Sequence, residues 1–533
     1  MICDVFHNPT RERGTDHSRR ESDVTRSLAY ASGWDTPQTC NSKVHKRGTV
    51  FGQVLLATPS PPHLNPLRPF IMPRITTFLL WTIGIALTLP LPSSAAEPTE
   101  NQASNRSLPQ NSDWPQFRGP NGQGISPTTS LPTEFSLSSG MKWQTPIEGK
   151  GWSSPVISNG HVWLTTAITT EPTPEEREAG LAGTSLPEMK DVAGSVELRA
   201  VCLNLETGEL MHEIKLASFD EPEPIHPLNS YASPTPVVDG DYVYCHFGSY
   251  GTWCLREADG DLVWTKRMVI DHSVGPGGSP IIVDDLLVMT CDGIDVQYVT
   301  ALNKLTGAEV WRTPRPKMRA VNGEFQKAYS TPMVIKVNGQ TQIVAPGAQW
   351  VVAYEQTTGR EIWRADHGNG FSLSSAPIYT GTDEELGLVV FTTGYGQTEV
   401  VAIRPDGKGD VTLSHIAWRN DRNVPAKPSP VYAKGLIYMI DDNGVLSCFR
   451  SEDATVVFRK RVPGNFSSSP LLAANHLYLG NQEGIVTVIK QSDQYEEVAK
   501  IELDGRIMAS PAVAGNELII RSEKSVMKFA NQD

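Results

Sequence analysis

The chain has 533 residues, of which 39% are hydrophobic, so it is long enough to bury a sizeable core. Its formal net charge of −13 at pH 7 argues against nucleic acid or an anionic membrane surface as the main partner. The 44 glycines and 40 prolines indicate a turn-rich chain that is not of low complexity.

Residues 72–96 have the form of a secretory signal peptide. Arg74 supplies the positive charge, an apolar run of 12 residues covers 78–89, and Ser94, Ala95 and Ala96 form a small-residue cleavage site. This run is short for a helix that spans a bilayer, which needs about 20 apolar residues. We expect an exported protein that is periplasmic, extracellular or associated with the envelope and that has no membrane span after the signal is removed; a signal anchor is the alternative.

Residues 1–71 precede this signal, although a signal peptide should begin a protein. We expect them to be either a disordered extension or a mis-called start, with translation beginning at Met72. Ten Lys/Arg and six Asp/Glu precede residue 97, which leaves 36 and 53 in the remainder and a net charge of −17. No cysteine lies near Ala96, so a lipoprotein anchor is not indicated.

A lead-in segment, residues 97–140, contains the stretch DWPQFRGPNGQGIS at 113–126. Its glycines have the spacing G-x-x-G-x-G, with no strand before them and no helix after them, so they do not form a phosphate-binding loop. We expect an anchoring segment laid against the first or last unit of the array that follows. Trp114 and Phe117 would be buried, and Arg118 would be hydrogen-bonded.

A small residue followed by proline recurs eight times along the rest of the chain. Each copy precedes short β-branched and aromatic runs separated by turn residues, as in VVDGDYVYCHF, which predict strand–turn–strand units. The copies are Ser154-Pro155, Ser233-Pro234, Ser279-Pro280, Thr331-Pro332, Ala376-Pro377, Ser429-Pro430, Ser469-Pro470 and Ser510-Pro511.

A turn glycine followed four residues later by a large side chain trails several copies, as in Gly307 and Trp311. The large ring is expected to begin a strand and pack against the neighbouring unit. Each unit then has about four strands over roughly 40–50 residues, which is the repeat of a propeller blade. The tryptophans of this blade motif are Trp143, Trp264, Trp311, Trp363 and Trp418.

The fold predicted is therefore all-β, an eight-bladed β-propeller of four-stranded antiparallel blades over residues 141–533. The last copy offers three strand runs, whereas MKWQTPI at 141–147 is a spare strand before the first copy. The N-terminal strand is thus expected to complete the last blade and to hide the edges of an open ring.

Two further features of the blades leave alternatives open. An acidic insertion in the first blade, residues 168–197, is either functional or a mobile surface loop. If Ser249 and Tyr250 form a two-residue turn, Cys245 and Cys254 face each other across a strand pair. They would then form a disulfide, or remain two buried thiols.

The loops before the first strands of a propeller's blades surround one mouth of its channel. We take the residue two before each repeated dipeptide as a position on this rim. The hypothesis is that Trp152, Tyr231, Tyr329 and Lys427 shape a binding site there, because exposed aromatic rings suit peptides or planar ligands. Packing between blades is the alternative role for these side chains.

The pattern of Ser/Ala-Pro, Gly-x-Val-Tyr and Thr-Gly-x-x-x-Trp resembles the pyrroloquinoline-quinone (PQQ) repeat, over Met141 to about Asn531, and DWPQFRG resembles the family's lead-in. One branch of this family is the quinoprotein alcohol dehydrogenases, which bind PQQ and calcium at the ring's centre. The other branch is the BamB-like propeller of the outer-membrane barrel-assembly machinery, which binds partners without catalysis.

The resemblance implies different functions for the two branches. Quinoprotein dehydrogenases generally carry two adjacent cysteines, and this sequence has none; Cys291-Asp292 and Asp441-Asp442-Asn443 are interpreted as turn residues rather than ligands. We therefore expect a non-catalytic scaffolding module, with no catalytic residue, metal or cofactor, that binds a protein partner in the cell envelope as a monomer. The alternative is a PQQ-dependent dehydrogenase with calcium that oxidises alcohols or sugars.

Overall fold

The computed structural model describes residues 113–532. The predicted extension (1–71), the signal peptide (72–96) and the first part of the lead-in lie outside the described residues. No helix within 113–532 is long and apolar enough to cross a membrane.

The described residues build eight blades, each a sheet of four antiparallel strands that follow the chain from the ring's centre outward, except that the N-terminal strand closes the last blade. This confirms the predicted eight-bladed propeller. The short strand β21 (Gly409–Asp410) adds a fifth, parallel strand to the sheet of blade 4.

Blades 1 and 2 contain β2 (Val156–Ser158), β3 (His161–Thr170), β4 (Ser195–Asn204), β5 (Leu210–Asp220), β6 (Val237–Asp239), β7 (Tyr242–His246), β8 (Thr252–Arg256) and β9 (Leu262–Lys266). Blades 3 and 4 contain β10 (Ile281–Val283), β11 (Leu286–Asp292), β12 (Gln297–Asn303), β13 (Glu309–Pro314), β14 (Met333–Val337), β15 (Gln340–Pro346), β16 (Trp350–Glu355) and β17 (Glu361–Asp366). Blades 5 and 6 contain β18 (Ile378–Tyr379), β19 (Val389–Thr392), β20 (Val400–Ile403), β22 (Ile416–Asn420), β23 (Val431–Ala433), β24 (Leu436–Ile440), β25 (Val445–Arg450) and β26 (Val456–Arg461). Blades 7 and 8 contain β27 (Leu471–Ala473), β28 (His476–Gly480), β29 (Ile485–Lys490), β30 (Glu497–Glu502), β31 (Ala512–Ala514), β32 (Glu517–Arg521), β33 (Ser525–Phe529) and β1 (Met141–Pro146).

Burial explains why the strands of one blade differ in sequence. The middle strands pack between neighbouring blades on both faces, so they read as nearly continuous apolar runs, such as LIYMI in β24 and IVTVIK in β29. The outermost strands expose one face, and in β9 the buried Trp264 is flanked by exposed residues.

The ring closes through its two ends, as predicted. Strand β1 is the outermost strand of blade 8 and pairs antiparallel with β33, with Trp143 opposite Lys528. The last blade therefore contains the first strand of the propeller together with its three final strands. This pairing covers the edge of β33 that an open ring would expose.

The blade tryptophans dock onto the next blade through its turn glycine. The rings of Trp143, Trp264 and Trp311 cover Gly208, Gly307 and Gly359, and each indole N–H donates to a carbonyl of the same turn. Trp418 donates in the same way to the Ser451 carbonyl, at 2.9 Å. Trp363 differs, because its indole donates to Gln342 within its own blade.

This docking predicts a specific cost for a methyl group at Gly208. A Cβ there would lie 2.5 Å from the Trp143 ring, whereas a Cβ on Gly160 of the same blade would meet nothing within 4 Å, and the two glycines have φ of +75° and +77°. Gly208→Ala and Gly160→Ala share the left-handed backbone cost of about 1–2 kcal/mol, and Gly208→Ala should lose about 1–3 kcal/mol more from overpacking. Equal losses for both variants in chemical denaturation would contradict the docking role.

The predicted facing pair Cys245 and Cys254 is wrong. The hairpin turn is a three-residue 3₁₀ turn, Gly248–Tyr250, so Cys245 pairs with Trp253 and Cys254 pairs with Tyr244. Positions offset by one residue point to opposite faces of a sheet, and the two thiols lie in different core clusters. Both are free and buried.

The long final turn of blade 5 has a structural use that the sequence did not indicate. Its short strand β21 (Gly409–Asp410) leaves its own blade and pairs parallel with β17, next to Trp363. The outer edge of blade 4 is therefore covered by a segment of blade 5.

Candidate functional site: a cup at the ring's centre

Residues just before and within the innermost strand of each blade line the central channel at three successive depths. In blade 1, Trp152 lies at the mouth, Ser154 follows two residues later, and Ile157 pairs with the lead-in segment three residues beyond. Blades 2 and 7 repeat this spacing. We call the first level the rim and the second the belt; the lead-in residues 113–126, which contact the third level, we call the plug.

The belt is a chain of hydrogen bonds that links successive blades. In seven of the eight junctions, a backbone N–H donates to the hydroxyl of the next blade at 2.9–3.0 Å. Ala376 lacks a hydroxyl, and at that junction the Ser330 hydroxyl donates instead to the Ser375 carbonyl. The belt residues are Ser154, Thr235, Ser279, Thr331, Ala376, Ser429, Ser469 and Ser510.

The belt corrects the register of the repeat in blade 2. The sequence ASPTP offers two dipeptides, Ser233-Pro234 and Thr235-Pro236, and the structure uses Thr235 as the belt residue. The rim residue of this blade is therefore Ser233.

The plug crosses the channel rather than lying against one blade. Trp114 exchanges two backbone hydrogen bonds with Ile157 of blade 1, at 2.8 and 2.9 Å, and Ile125 pairs with Leu472 of blade 7. Gln123 accepts from the Tyr379 N–H of blade 5. The expected placement against the first or last blade was thus too narrow, because the segment contacts innermost strands on opposite sides of the ring.

Some side chains of the plug anchor it to the blades, and others face the channel. Trp114 is buried, as expected, and Arg118 is buried with hydrogen bonds to the carbonyls of Gln123 and Pro430. Burial lowers the pKa of Arg118 to about 9. Phe117 is only half-buried and faces the channel, where it forms the floor of a cavity.

This cavity, which we call the cup, has a volume of about 460 Å³ and lies between the plug and the mouth. Belt hydroxyls form its lower wall, and all eight rim residues line its upper wall. Half-buried apolar side chains converge on it, from Phe117, Trp152, Leu228, Phe325 and Met508.

The structure brings three of the four predicted rim residues to the cup. Trp152 donates its indole N–H to the Leu228 carbonyl at 3.0 Å, Tyr329 donates its hydroxyl to the His272 carbonyl at 2.5 Å, and the Lys427 ammonium lies 3.2 Å from Asp442. Tyr231 does not line the cup. It is buried between blades 1 and 2, where its ring packs edge-on against Tyr250, because the register of blade 2 is shifted by two residues.

The insertion of blade 1 covers part of the mouth. It contains helix α1 (Pro174–Leu181) and a 3₁₀ turn (Pro187–Met189). Its residues Leu186, Met189 and Lys190 line the cup, and the Ser185 hydroxyl bonds the Glu324 carboxylate on the opposite wall. This segment, which the sequence left open between loop and function, is thus part of the cup.

Sequence reasoning missed a buried ion pair in the wall. Glu324 pairs with Lys327 and accepts a hydrogen bond from Ser273 at 2.7 Å. Burial alone would raise the pKa of Glu324, but the Lys327 ammonium and the hydroxyl donors outweigh it and hold the pKa below its usual value. Burial lowers the pKa of Lys327 despite this carboxylate. The Glu-x-x-Lys spacing was the one available signal, and it is too common to identify a site.

The charged side chains that line the cup are mostly cationic. Among the described residues, Lys190, Lys327 and Lys427 line it together with the Glu324 carboxylate. Burial lowers the pKa of His226 in the same wall, and the neighbouring lysines lower it further.

The donor set of the cup does not fit calcium with PQQ. Calcium takes six to eight oxygen ligands, whereas the one lining carboxylate is held by Lys327, and within 113–532 no three His, Cys, Asp or Glu side chains converge to hold a metal ion. Asp292 accepts two hydrogen bonds from buried Arg315, and Asp441 binds backbone N–H groups of its own turn. The described cysteines lie in the blades.

The family of the chain follows from comparison with known proteins. Residues 179–346 and 347–496 match the family model PQQ_2, whose description is outer membrane protein assembly factor BamB. The outer membrane protein assembly factor BamB of Moranella endobia (strain PCIT) is 23% identical over 257 residues, which is 48% of this chain. The aligned part spans 61% of that relative's length.

Solved structures share the architecture at low identity. A europium-containing methanol dehydrogenase matches with a TM-score of 0.54 and 8% identity, over 78% of this chain and 91% of that chain. The quinohemoprotein alcohol dehydrogenase from Comamonas testosteroni matches with a TM-score of 0.54 and 10% identity, over 79% and 81%. At these identities the similarity shows the fold alone.

Proposed function

Since the chain belongs to the PQQ-like propeller family described as outer membrane protein assembly factor BamB, we propose that it is an exported, non-catalytic protein-binding module of the cell envelope. Its central cup is the surface that receives part of a partner protein. The family supports the class of function, and the cup supports the place where binding occurs.

The observation that carries this proposal is the composition of the cup. Half-buried aromatic and apolar side chains surround its mouth, Phe117 closes its floor, and polar hydroxyls and lysines lie between them. Protein-binding hot spots combine large apolar anchors with a few oriented polar groups in the same way. Trp152 is the strongest candidate anchor, because its ring is fixed by the indole hydrogen bond and by Lys150, whose ammonium lies 5.4 Å from the ring centroid.

Co-purification from envelope extracts of producing cells tests the proposal. The pair Trp152→Ala and Met508→Ala is expected to reduce the bound partner about tenfold or more, since loss of a hot-spot anchor costs about 2 kcal/mol or more. Leu413→Ala is the matched control, because Leu413 is fully exposed on the outer turn of blade 5. Undiminished partner recovery with the rim variant, at unchanged thermal stability, would overturn the cup as the binding surface.

The dehydrogenase alternative is tested on the same purified protein. Addition of PQQ and calcium is expected to give no bound-quinone spectrum and no dye-linked oxidation of alcohols, because the lining side chains do not supply a calcium ligand set. A bound-quinone spectrum accompanied by turnover would replace the binding function with a catalytic one.

A further inference from the structure

The belt presents hydrogen-bond donors to the cup that nothing in the described chain accepts. Each belt hydroxyl uses an oxygen lone pair to accept a backbone N–H from the neighbouring blade, which leaves its own proton free. Within 113–532, none of the six that line the cup donates to a protein acceptor: Ser154, Thr235, Ser279, Thr331, Ser469 and Ser510.

These donors are both buried and convergent. All six side chains are at most 7% exposed, yet they surround a cavity. A buried donor without an acceptor costs free energy, so the arrangement favours an occupant rich in acceptor oxygens. Because the backbone hydrogen bonds fix every hydroxyl oxygen, the ring is organised before any ligand enters.

The charged side chains near the belt indicate which charge a ligand in the cup should carry. Lys327 is compensated by Glu324, and Lys427 lies beside Asp442, but Lys190 makes no ion pair or side-chain hydrogen bond within the described residues. The described lining therefore has an excess of ammonium over carboxylate groups, in a chain whose net charge is −13. An anionic group is favoured over a cationic or neutral one.

The plug limits the shape of ligand that the cup can accept. Because it crosses the channel below the belt, a polypeptide that enters from the mouth cannot pass through the ring. A cup of about 460 Å³ is the size of a small-molecule site, so it holds the end of a chain more readily than a loop that must turn back.

We propose that the cup binds the C-terminal end of a partner polypeptide, with its carboxylate among the belt hydroxyls and its last, large apolar side chain against the aromatic wall. The inference rests on the proposed protein-binding function and specifies the recognised group. An N-terminal ammonium is disfavoured by the lysines. A C-terminal carboxylate satisfies the hydroxyl donors and complements the positive charge.

Two labelled octapeptide pools test the inference, with random sequences that end in Phe, Leu or Met and with the C-terminus either free or amidated. Fluorescence anisotropy with the full-length protein is expected to show at least about tenfold tighter binding of the free acid, as for the loss of a charge-assisted contact. Lys190→Gln should weaken binding of the free acid about threefold to tenfold and leave the amide unchanged, whereas Lys434→Gln, in the exposed turn between β23 and β24 and outside the cup lining, should leave both unchanged.

Competition separates a chain end from a general anion site. Acetate and inorganic phosphate at millimolar concentration are expected to displace the free-acid pool weakly, because neither carries an apolar side chain. Equal affinity for acid and amide, no binding of either pool, or displacement by phosphate as effective as that by unlabelled free-acid peptide would each overturn the inference. In any of these cases, the co-purification experiment still decides the protein-binding function independently.

Discussion

Trp114→Ala is expected to lower the free energy of unfolding by about 3–5 kcal/mol, which is the range for truncating a buried tryptophan. Trp114 is 2% exposed, packs within the core cluster of blades 1, 7 and 8, and covers Gly119 of its own turn. Loss of the ring would leave a cavity and loosen the segment that closes the channel. Urea unfolding monitored by far-UV circular dichroism measures this change in the free energy of unfolding, because the signal does not depend on tryptophan fluorescence.

The neighbouring Phe117 supplies the matched control. It belongs to the same plug and is also aromatic, but it is half-buried and faces the cup. Phe117→Ala should therefore cost clearly less stability than Trp114→Ala, because less apolar surface leaves a packed environment. Similar losses for the two variants, or no loss for Trp114→Ala, would contradict the anchoring role of Trp114.

Acidification from pH 6.5 to about 4 is expected to destabilise the protein steeply. Burial lowers the pKa of His272 and of His367 to about 4, and that of His246 to about 3. An unfolded histidine has a pKa of about 6.5, so unfolding takes up protons in this range. The stability gained by keeping these rings neutral is fully present above pH 6.5 and is lost as the pH falls, by about 1.4 kcal/mol per pH unit for each histidine.

Urea unfolding at a series of pH values between 7.5 and 4.5 measures this slope. His367→Asn removes one of the three rings, whose Nε2 lies 2.8 Å from the Gly347 carbonyl, and should reduce the slope by about one proton per molecule. An unchanged slope in this variant would show that His367 is protonated in the folded state.

The propeller was predictable because its signals are local and repeated. Eight small-residue–proline dipeptides and the glycine–tryptophan spacing lie within single blades, and the spare strand with Trp143 implied the closure of the ring. Errors arose where the sequence left the register ambiguous. The two adjacent dipeptides in ASPTP differ by two residues, so both keep the same strand face inward, and only the hydrogen bond to Ser279 on the next blade selects Thr235.

The cup was less predictable, because the residues that build it are distant in sequence. The plug has no periodicity that reveals its path, and its partner residues lie up to about 350 positions away. The contact between Ser185 and Glu324 joins two connecting segments between strands that carry no sequence motif. The prediction for the Cys245 hairpin failed because its turn has three residues rather than the assumed two. The turn begins at Gly248, which has a φ of +61°.

Site-specific photo-crosslinking is the most direct test of the claim that the cup receives a partner protein. A photoreactive phenylalanine analogue at Ser467, a small rim residue that lines the cup, is expected to give a discrete crosslinked product with an envelope protein in living cells. The same analogue at Leu413, exposed on the outer turn of blade 5, should give none. Absence of a product from Ser467, or the same product from both positions, would contradict the central cup as the binding site.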